Sequence, residues 1–172
     1  MNEVILVDGY NVIHAVPRLA ALLEESLEAA REGLLAQLLP LSDLGEAEVL
    51  VVFDAAGMGH PAVEVEERGR LRVLYSRRGQ SADGLIEELS RRLVSTYRVT
   101  VVTADRPQGR LAFFQGASII DAARLLDKAD EARREMSSLR EEREERMRAG
   151  RDRLEDRVPE EVRRLLDRMR FR

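Results

Sequence analysis

Residues 3–13 read EVILVDGYNVI, and this stretch decides the fold. The apolar run before Asp8 has no polar alternation, which is typical of a strand buried on both faces of a parallel sheet. The strand ends at Asp8, and Gly9 gives the backbone the freedom to turn. Ligands of such sheets bind at the carboxyl ends of the strands. Asp8 is therefore predicted to lie at the functional edge of an α/β sheet, with Asn11 as the cap of the helix that follows.

The composition limits the classes of protein to which the chain can belong. It has 172 residues, of which 44% are hydrophobic, and this fits one domain of ordinary size with an appendage. No apolar run approaches the roughly 18 residues that span a membrane, and the N-terminus lacks the pattern of a signal peptide. The absence of cysteine excludes disulfides and thiolate metal sites. A cytoplasmic location without a membrane partner is therefore expected.

Strand and helix patterns alternate along the rest of the chain. The predicted strands after the first cover residues 49–53, 63–67, 71–75, 98–103 and 118–120. The predicted helices cover residues 12–16, about 18–39, 82–95 and 107–114, and Pro40 and Gly45 bracket the exit of the second helix. Strands that alternate with helices are typical of a three-layer α/β fold with a parallel central sheet.

The charge pattern changes near residue 121. The net charge of the chain is −4, which argues against a uniformly basic nucleic-acid-binding protein but leaves open a local basic stripe for phosphates. Beyond residue 121 arginine and glutamate dominate, a pattern typical of a long solvated helix. We predict a folded domain over residues 1–125 and a charged helical extension over residues 126–172, with a final helix after Pro159. Two other roles are open for this extension: an arm that docks on the ribosome or another protein, and a helix that dimerises. The sequence leaves the oligomeric state undetermined.

Four aspartates are predicted to meet at one edge of the sheet. Asp8, Asp54 and Asp105 each follow a strand, and Asp83 opens the helix after the strand at residues 71–75. Each alone would serve as a helix cap or a turn residue. If the strands are parallel neighbours, the four carboxylates converge, and clustered like charges favour a bound cation. Carboxylates without cysteine suit a hard ion, so we predict a Mg²⁺ or Mn²⁺ site for metal-assisted phosphodiester hydrolysis.

Other charged residues lie close to these acids in the sequence. Glu87 lies four residues after Asp83 on the same helix face, where it is either an outer ligand or a solvated surface acid. Arg77 and Arg78 lie in the loop that leads to Asp83, and Arg106 follows the last of the four aspartates. Arginine side chains in such loops suit phosphate contacts, and an ordinary soluble surface is the alternative.

Seven short motifs occur in order along the chain: Val7-Asp8-Gly9-Tyr10-Asn11-Val12-Ile13, Val52-Phe53-Asp54-Ala55, Tyr75-Ser76, Ser81-Ala82-Asp83, Ile86-Glu87, Val101-Val102-Thr103-Ala104-Asp105 and Gln115-Gly116-Ala117. Together they resemble the YacP-like group of NYN domains, a branch of the PIN-like nuclease superfamily. The resemblance implies a Rossmann-like PIN fold over residues 1–125. It also implies a metal-dependent endoribonuclease that hydrolyses single-stranded RNA, including messenger RNA at the ribosome.

The resemblance further implies roles for individual residues. Asp8 and Asp83 would be the main metal-binding catalytic acids, and Asp105 would complete the metal site. Asn11 would orient a carboxylate or a bound water, because its amide both donates and accepts hydrogen bonds. Asp54 matches the acid at the end of the family's second strand and is a further catalytic candidate. The hydroxyl groups that would hold these acids in place belong to Ser81 and Thr103.

Two other functions stay open at this point. A protein with the same fold could be a non-catalytic RNA- or ribosome-binding module, although a cluster of negative charge facing phosphate argues against this. A DNA-directed metal-dependent nuclease is the third reading, since related folds use similar acids and recognise the substrate through surrounding surfaces.

Overall fold

The computed structural model describes residues 3–45, 47–55, 62–103 and 116–155, the side chains of residues 149–155 excepted. Two predicted site residues, Asp105 and Arg106, lie outside the described residues. The predicted helices at residues 107–114 and after Pro159 also lie outside them.

Strands and helices alternate as the sequence patterns predict. The described strands are β1 (Glu3–Asp8), β2 (Ala47–Phe53), β3 (Glu64–Arg68), β4 (Leu71–Tyr75), β5 (Arg98–Val102) and β6 (Ser118–Ile120). The described helices are α1 (Gly9–Ala15), α2 (Pro17–Glu25), α3 (Leu27–Asp43), α4 (Ala82–Leu93) and α5 (Ala122–Glu155).

Within the described ranges the strands form one sheet in the order β3-β4-β2-β1-β5-β6. The neighbouring strands pair in parallel, except that the edge strand β3 runs antiparallel to β4. In the register of β1 with β2, Asp8 lies opposite Val52, and Phe53 lies opposite Tyr75 of β4. The predicted α/β fold with a mostly parallel sheet is confirmed, and the carboxyl ends of β1, β2 and β4 lie side by side.

The unbroken apolar run of β1 is explained by burial on both faces of the sheet. Ile5 and Val7 pack in a cluster with α1, α2, α3 and the start of α5. Val4 and Leu6 pack in a second cluster with α4. Because successive side chains of a strand point to opposite faces, a strand covered on both sides needs apolar residues at every position.

The single helix predicted at residues 18–39 is wrong, because the chain forms two helices there. The backbone of Ser26 is extended (φ −170°, ψ 157°), and its Oγ accepts a hydrogen bond from Ala29 N at 2.9 Å. Serine competes for the backbone in this way, and an apolar stripe continues across the break because both helices contribute side chains to the same hydrophobic cluster. The predicted exit between Pro40 and Gly45 is confirmed: Pro40 lies inside α3, which ends at Asp43, and Gly45 follows with a positive φ of 78°.

Helix α5 contributes residues to two compact units, Met1–Arg133 and Arg134–Arg172. In the first unit, Leu125, Ala129 and Ala132 are buried. In the second unit, the described side chains are mostly exposed, including Leu139 and Met147 at 53% and 59%. The functional boundary after residue 125 stays a prediction. No helix in the described residues is long and apolar enough to cross a membrane.

Candidate active site

Asp8 ends β1 and caps the helix that follows. Its side chain is 8% exposed, and its Oδ1 accepts a hydrogen bond from the backbone N–H of Asn11 at 3.0 Å. Asp8 is therefore the N-cap of α1, and the prediction that Asn11 caps this helix is wrong. The reason is local: α1 begins at Gly9, so the N–H of Asn11 is one of the first-turn donors that need an acceptor outside the helix.

Asp8 lies within electrostatic reach of two other acids. Burial raises the pKa of Asp8, because it disfavours the charged form, and the hydrogen bond from Asn11 opposes this effect. The negative charges of Asp83 and Asp54 raise the pKa of Asp8 further. The structure thus brings three of the four predicted aspartates together at the carboxyl edge of the sheet.

Asp54 joins the end of β2 to the start of α4. Its side chain is exposed, and its Oδ1 accepts a hydrogen bond from Ala82 N at 2.6 Å. Ser81 caps the same helix, with its Oγ accepting from Gly84 N at 3.1 Å. Both interactions order the first turn of α4, which carries Asp83. Ser81 therefore acts on the backbone of this turn, and the helix dipole favours negative charge there.

The remaining predicted residues in the described ranges differ in their surroundings. Thr103 follows β5 and is buried, and its N–H donates to Ile120 O at 3.2 Å. Glu87 forms an ion pair with Arg91 at 3.6 Å on the surface of α4, which favours the surface reading of this acid. Arg77 and Arg78 are exposed in the loop between β4 and α4. Their guanidinium groups are therefore accessible from solvent near the start of α4.

Ser76 is a structural residue of the site that the sequence analysis treated only as part of a motif. It is 2% exposed, its N–H donates to Phe53 O at 2.9 Å, and its Oγ accepts from Ala55 N at 3.1 Å. It therefore holds the chain on both sides of Asp54. A small polar residue directly after a buried strand was the available signal, but its partner lies 21 residues away in the sequence.

We expect the Ser76→Ala variant to lose about 1–3 kcal/mol of unfolding free energy, because the Ala55 N–H loses its partner. Urea denaturation followed by circular dichroism measures this loss. The matched control is Ser95→Ala at an exposed serine, which should change the unfolding free energy by less than about 0.5 kcal/mol. Equal stability of the two variants would contradict the role of Ser76.

Three aromatic side chains at the ends of β2 and β4 and in the first turn of α1 pack together, and we call them the aromatic row: Tyr10, Phe53 and Tyr75. The ring centroids of Tyr10 and Phe53 are 4.9 Å apart with an interplanar angle of 61°. Those of Phe53 and Tyr75 are 6.0 Å apart with an angle of 26°. The row belongs to the cluster on the α1–α3 side of the sheet. It links the ends of β2 and β4 to the first turn of α1, at the edge of the sheet where Asp8, Asp54 and Asp83 lie, which we call the acidic edge.

Asp8, Asp54 and Asp83 are candidate ligands of a divalent metal ion. Among the described residues, no group of three or more histidine, cysteine, aspartate or glutamate side chains is arranged to hold a metal ion. The chemistry of the donors nevertheless fits a hard cation, because Asp8 is a buried carboxylate within electrostatic reach of two further carboxylates. The predicted third ligand, Asp105, lies outside the described residues.

The chain is similar to known proteins both in its sequence and in its structure. The profile of the YacP-like NYN domain matches residues 5–171, nearly the whole chain. The chain belongs to the YacP-like NYN family. The predicted family is thereby confirmed, and the match includes most of the charged C-terminal extension.

Relatives of this YacP-like NYN protein come from Bacillus subtilis. Protein YacP of strain 168 is 33% identical over 129 residues, which cover 72% of this chain and 73% of that protein. The crystal structure of Rae1 (YacP) has a TM-score of 0.68 at 27% identity, and the match covers 97% of this chain and 94% of that chain. A mutant of Rae1 has a TM-score of 0.65 at 30% identity over 80% of each chain.

Membership of the YacP-like NYN family gives the chain a nuclease-like fold. The family suggests nuclease activity with RNA as the substrate, and nucleases of this kind typically use divalent metal ions.

Proposed function

We propose that this protein is a metal-dependent endoribonuclease that hydrolyses phosphodiester bonds of single-stranded RNA. The observation that carries the proposal is the burial of Asp8 within electrostatic reach of Asp83 and Asp54, at the carboxyl edge of a parallel sheet. A protein that only bound RNA would gain nothing from clustered carboxylates facing a polyanion. Such a cluster is useful when a cation joins the carboxylates to the substrate phosphate.

The chain's own residues prepare the site in three ways. The N–H of Asn11 holds the Asp8 carboxylate at 3.0 Å. Asp54 and Ser81 bond the first turn of α4 and thereby hold the backbone that carries Asp83. Because these groups are placed before the substrate arrives, little reorganisation is needed in the reaction.

Asp8 and Asp83 would hold Mg²⁺ or Mn²⁺, with Asp105 as the proposed third ligand. When bound, the ion would neutralise phosphate charge and lower the pKa of an attacking water. Arg77 and Arg78, and by proposal Arg106, would bind flanking phosphates of the RNA. Cleavage of this kind leaves a 5′-phosphate and a 3′-hydroxyl. The proposed natural substrate is messenger RNA in the cytoplasm, free or on the ribosome.

The first test is cleavage of an end-labelled single-stranded RNA by the wild type and by Asp83→Asn in the presence of Mn²⁺ or Mg²⁺. Loss of residues that merely support metal ligands costs roughly 10- to 100-fold in activity. Loss of Asp83 itself should therefore lower the cleavage rate at least about 100-fold. Treatment with a chelator should abolish cleavage by the wild type, and added Mn²⁺ should restore it.

The matched control for this test is Asp43→Asn, the same chemical change at an exposed residue at the end of α3. This variant should cleave like the wild type. Equal rates for Asp83→Asn and the wild type, or cleavage that persists in the chelator, would contradict the proposal. Cleavage of a DNA oligonucleotide of the same sequence at an equal or higher rate would instead favour the DNA-directed nuclease. Binding of RNA without cleavage, on naked RNA and on translating ribosomes, would favour the non-catalytic module.

A further inference from the structure

Arg31 of α3 lies against all three rings of the aromatic row. Its Cζ is 5.3 Å from the ring centroid of Tyr10, 5.3 Å from that of Phe53 and 5.5 Å from that of Tyr75. Its side chain is only 16% exposed. A guanidinium group in contact with three aromatic faces is attracted by each of them, and the attraction grows when water is excluded.

The strongest polar contact of Arg31 also involves the aromatic row. Its Nη2 donates a hydrogen bond to Tyr10 Oη. Its Nη1 lies 3.7 Å from Glu28 Oε2, but the side chain of Glu28 is 69% exposed, so this ion pair contributes little. The Nε atom is buried and has no hydrogen-bond partner among the described residues. The guanidinium is therefore held chiefly by the aromatic row.

Each ring of the row stands next to a residue of the acidic edge. Tyr10 lies two residues after Asp8 and one before Asn11, whose N–H holds the Asp8 carboxylate. Phe53 directly precedes Asp54. Tyr75 directly precedes Ser76, which bonds the chain on both sides of Asp54. A single side chain from α3 thus contacts the ends of β2 and β4 and the turn after β1.

The burial of Arg31 argues against direct binding of RNA phosphates by this residue, because its side chain is only 16% exposed. Burial raises the pKa of Tyr75, the positive charge of Arg31 opposes this effect, and the negative charges of Glu66 and Glu28 reinforce it. These two acids therefore lie within electrostatic reach of the aromatic row, and Glu66 is also paired with Arg68 at 2.7 Å.

We propose that Arg31 is a positioning residue of the nuclease site: by clamping the aromatic row, it fixes the strand ends that carry Asp8 and Asp54. This inference rests on the proposed function. Arg31 touches neither the substrate nor the reacting atoms. It acts through Tyr10 on the turn that holds Asp8, and through Phe53 and Tyr75 on the loop that holds Asp54.

The test compares Arg31→Met with a matched control, Arg68→Met. Arg68 of β3 also joins an edge of the sheet to α3, through Glu32 at 2.6 Å, and it bonds Glu66 at 2.7 Å. The kinetic constants kcat and KM for single-stranded RNA are measured well below the melting temperature of each variant. We expect kcat to fall about 10- to 100-fold for Arg31→Met, with KM changed less than about twofold, because small displacements of reacting groups are costly. Arg68→Met should keep the wild-type kcat.

A milder variant covers the case in which Arg31→Met fails to fold. Tyr10→Phe keeps the ring and removes only the hydroxyl that accepts the hydrogen bond from Arg31. Tyr10→Phe should also lower kcat. Arg31→Lys keeps the positive charge, so its kcat should fall less than that of Arg31→Met. If Arg31 and Tyr10 act as one unit, the effects of Arg31→Lys and Tyr10→Phe are less than additive in the double variant.

A second readout is independent of catalysis. The amide of Asn11 donates to Asp8, so its hydrogen exchange reports whether this turn is fixed. Exchange should accelerate at least about tenfold in Arg31→Met and stay unchanged in Arg68→Met.

The outcomes separate this inference from the proposed function. With an active wild type, an unchanged kcat for Arg31→Met and Tyr10→Phe overturns the positioning role. A raised KM at unchanged kcat also overturns it and assigns Arg31 to substrate binding. If the wild type cleaves no nucleic acid, the proposed function fails and hydrogen exchange decides alone. Equal exchange at Asn11 in both methionine variants then overturns the inference, and faster exchange confined to Arg31→Met supports it.

Discussion

Replacement of Asp8 by asparagine is expected to abolish RNA cleavage and, without metal ions, to stabilise the fold. The Asp8→Asn side chain keeps an oxygen that can accept the hydrogen bond from Asn11, but it carries no charge to hold a cation. Since the loss of supporting residues alone costs roughly 10- to 100-fold, the rate of cleavage should fall at least about 100-fold. End-labelled RNA in Mn²⁺ measures this loss.

The stability gain follows from the direction of the pKa shift. Burial, Asp83 and Asp54 together raise the pKa of Asp8 above its ordinary value of 3.8 in the folded protein. At a pH below the pKa of Asp8 in the unfolded state, Asp8 is protonated in both the folded and the unfolded protein, so folding buries no charge at this position. As the pH rises through the unfolded and then the folded pKa, the folded state must hold an unfavourable buried charge, and the wild type loses stability relative to Asp8→Asn.

Thermal unfolding with a chelator, from pH 3.5 to pH 8, tests this sign. The melting temperature of Asp8→Asn should exceed that of the wild type at pH 8, and the difference should shrink at low pH. Added Mn²⁺ should raise the melting temperature of the wild type but not that of Asp8→Asn, because an ion bound only to the folded state stabilises it. The Asp43→Asn control should follow the wild type under all conditions. A melting temperature of Asp8→Asn below that of the wild type at pH 8 in the chelator would contradict the expected cost of burying the Asp8 charge.

Gly9→Ala is expected to give a large loss of stability. A Cβ atom on Gly9 would lie 2.2 Å from Cε1, 2.6 Å from Cδ1 and 2.7 Å from Cζ of Phe53. The Phe53 ring is fully buried and packs against the rings of Tyr10 and Tyr75. Overpacking of this kind costs about 1–3 kcal/mol or more, and the shift of the turn should also disturb Asp8 and impair cleavage.

Chemical denaturation of three variants tests the steric cause. In Gly84→Ala the new Cβ would lie 3.4 Å from Ser81 Oγ, inside α4, so this control should be neutral or up to about 1 kcal/mol more stable. In a Phe53→Leu background, Gly9→Ala should cost much less, because the ring that blocks the Cβ is absent. An undiminished cost in that background would show that the clash with Phe53 is not the cause.

Parts of the site could be predicted from local sequence because they depend on neighbours in the chain. Asp83 was placed in the first turn of a helix, and Asp8 at the end of a buried strand, from the pattern of apolar residues alone. Partners distant in the sequence could not be predicted in this way. Asp54 bonds Ala82 28 residues later, and Arg31 bonds Tyr10 21 residues earlier. Nothing in the local pattern distinguishes Arg31 from the many exposed arginines of this chain.

The sequence by itself determined the alternation of strands and helices, the buried central strand, and the family. These depend on periodicity and short motifs, because the spacing of apolar residues within a segment reflects which of its side chains are buried. Only the tertiary structure decided that Asp54 bonds the first turn of α4, that Ser76 holds the chain on both sides of Asp54, and that Arg31 contacts the three rings of the aromatic row. The physical reason is that a hydrogen bond or a ring contact depends on which groups the packed elements bring within a few ångströms, and periodicity carries no such information.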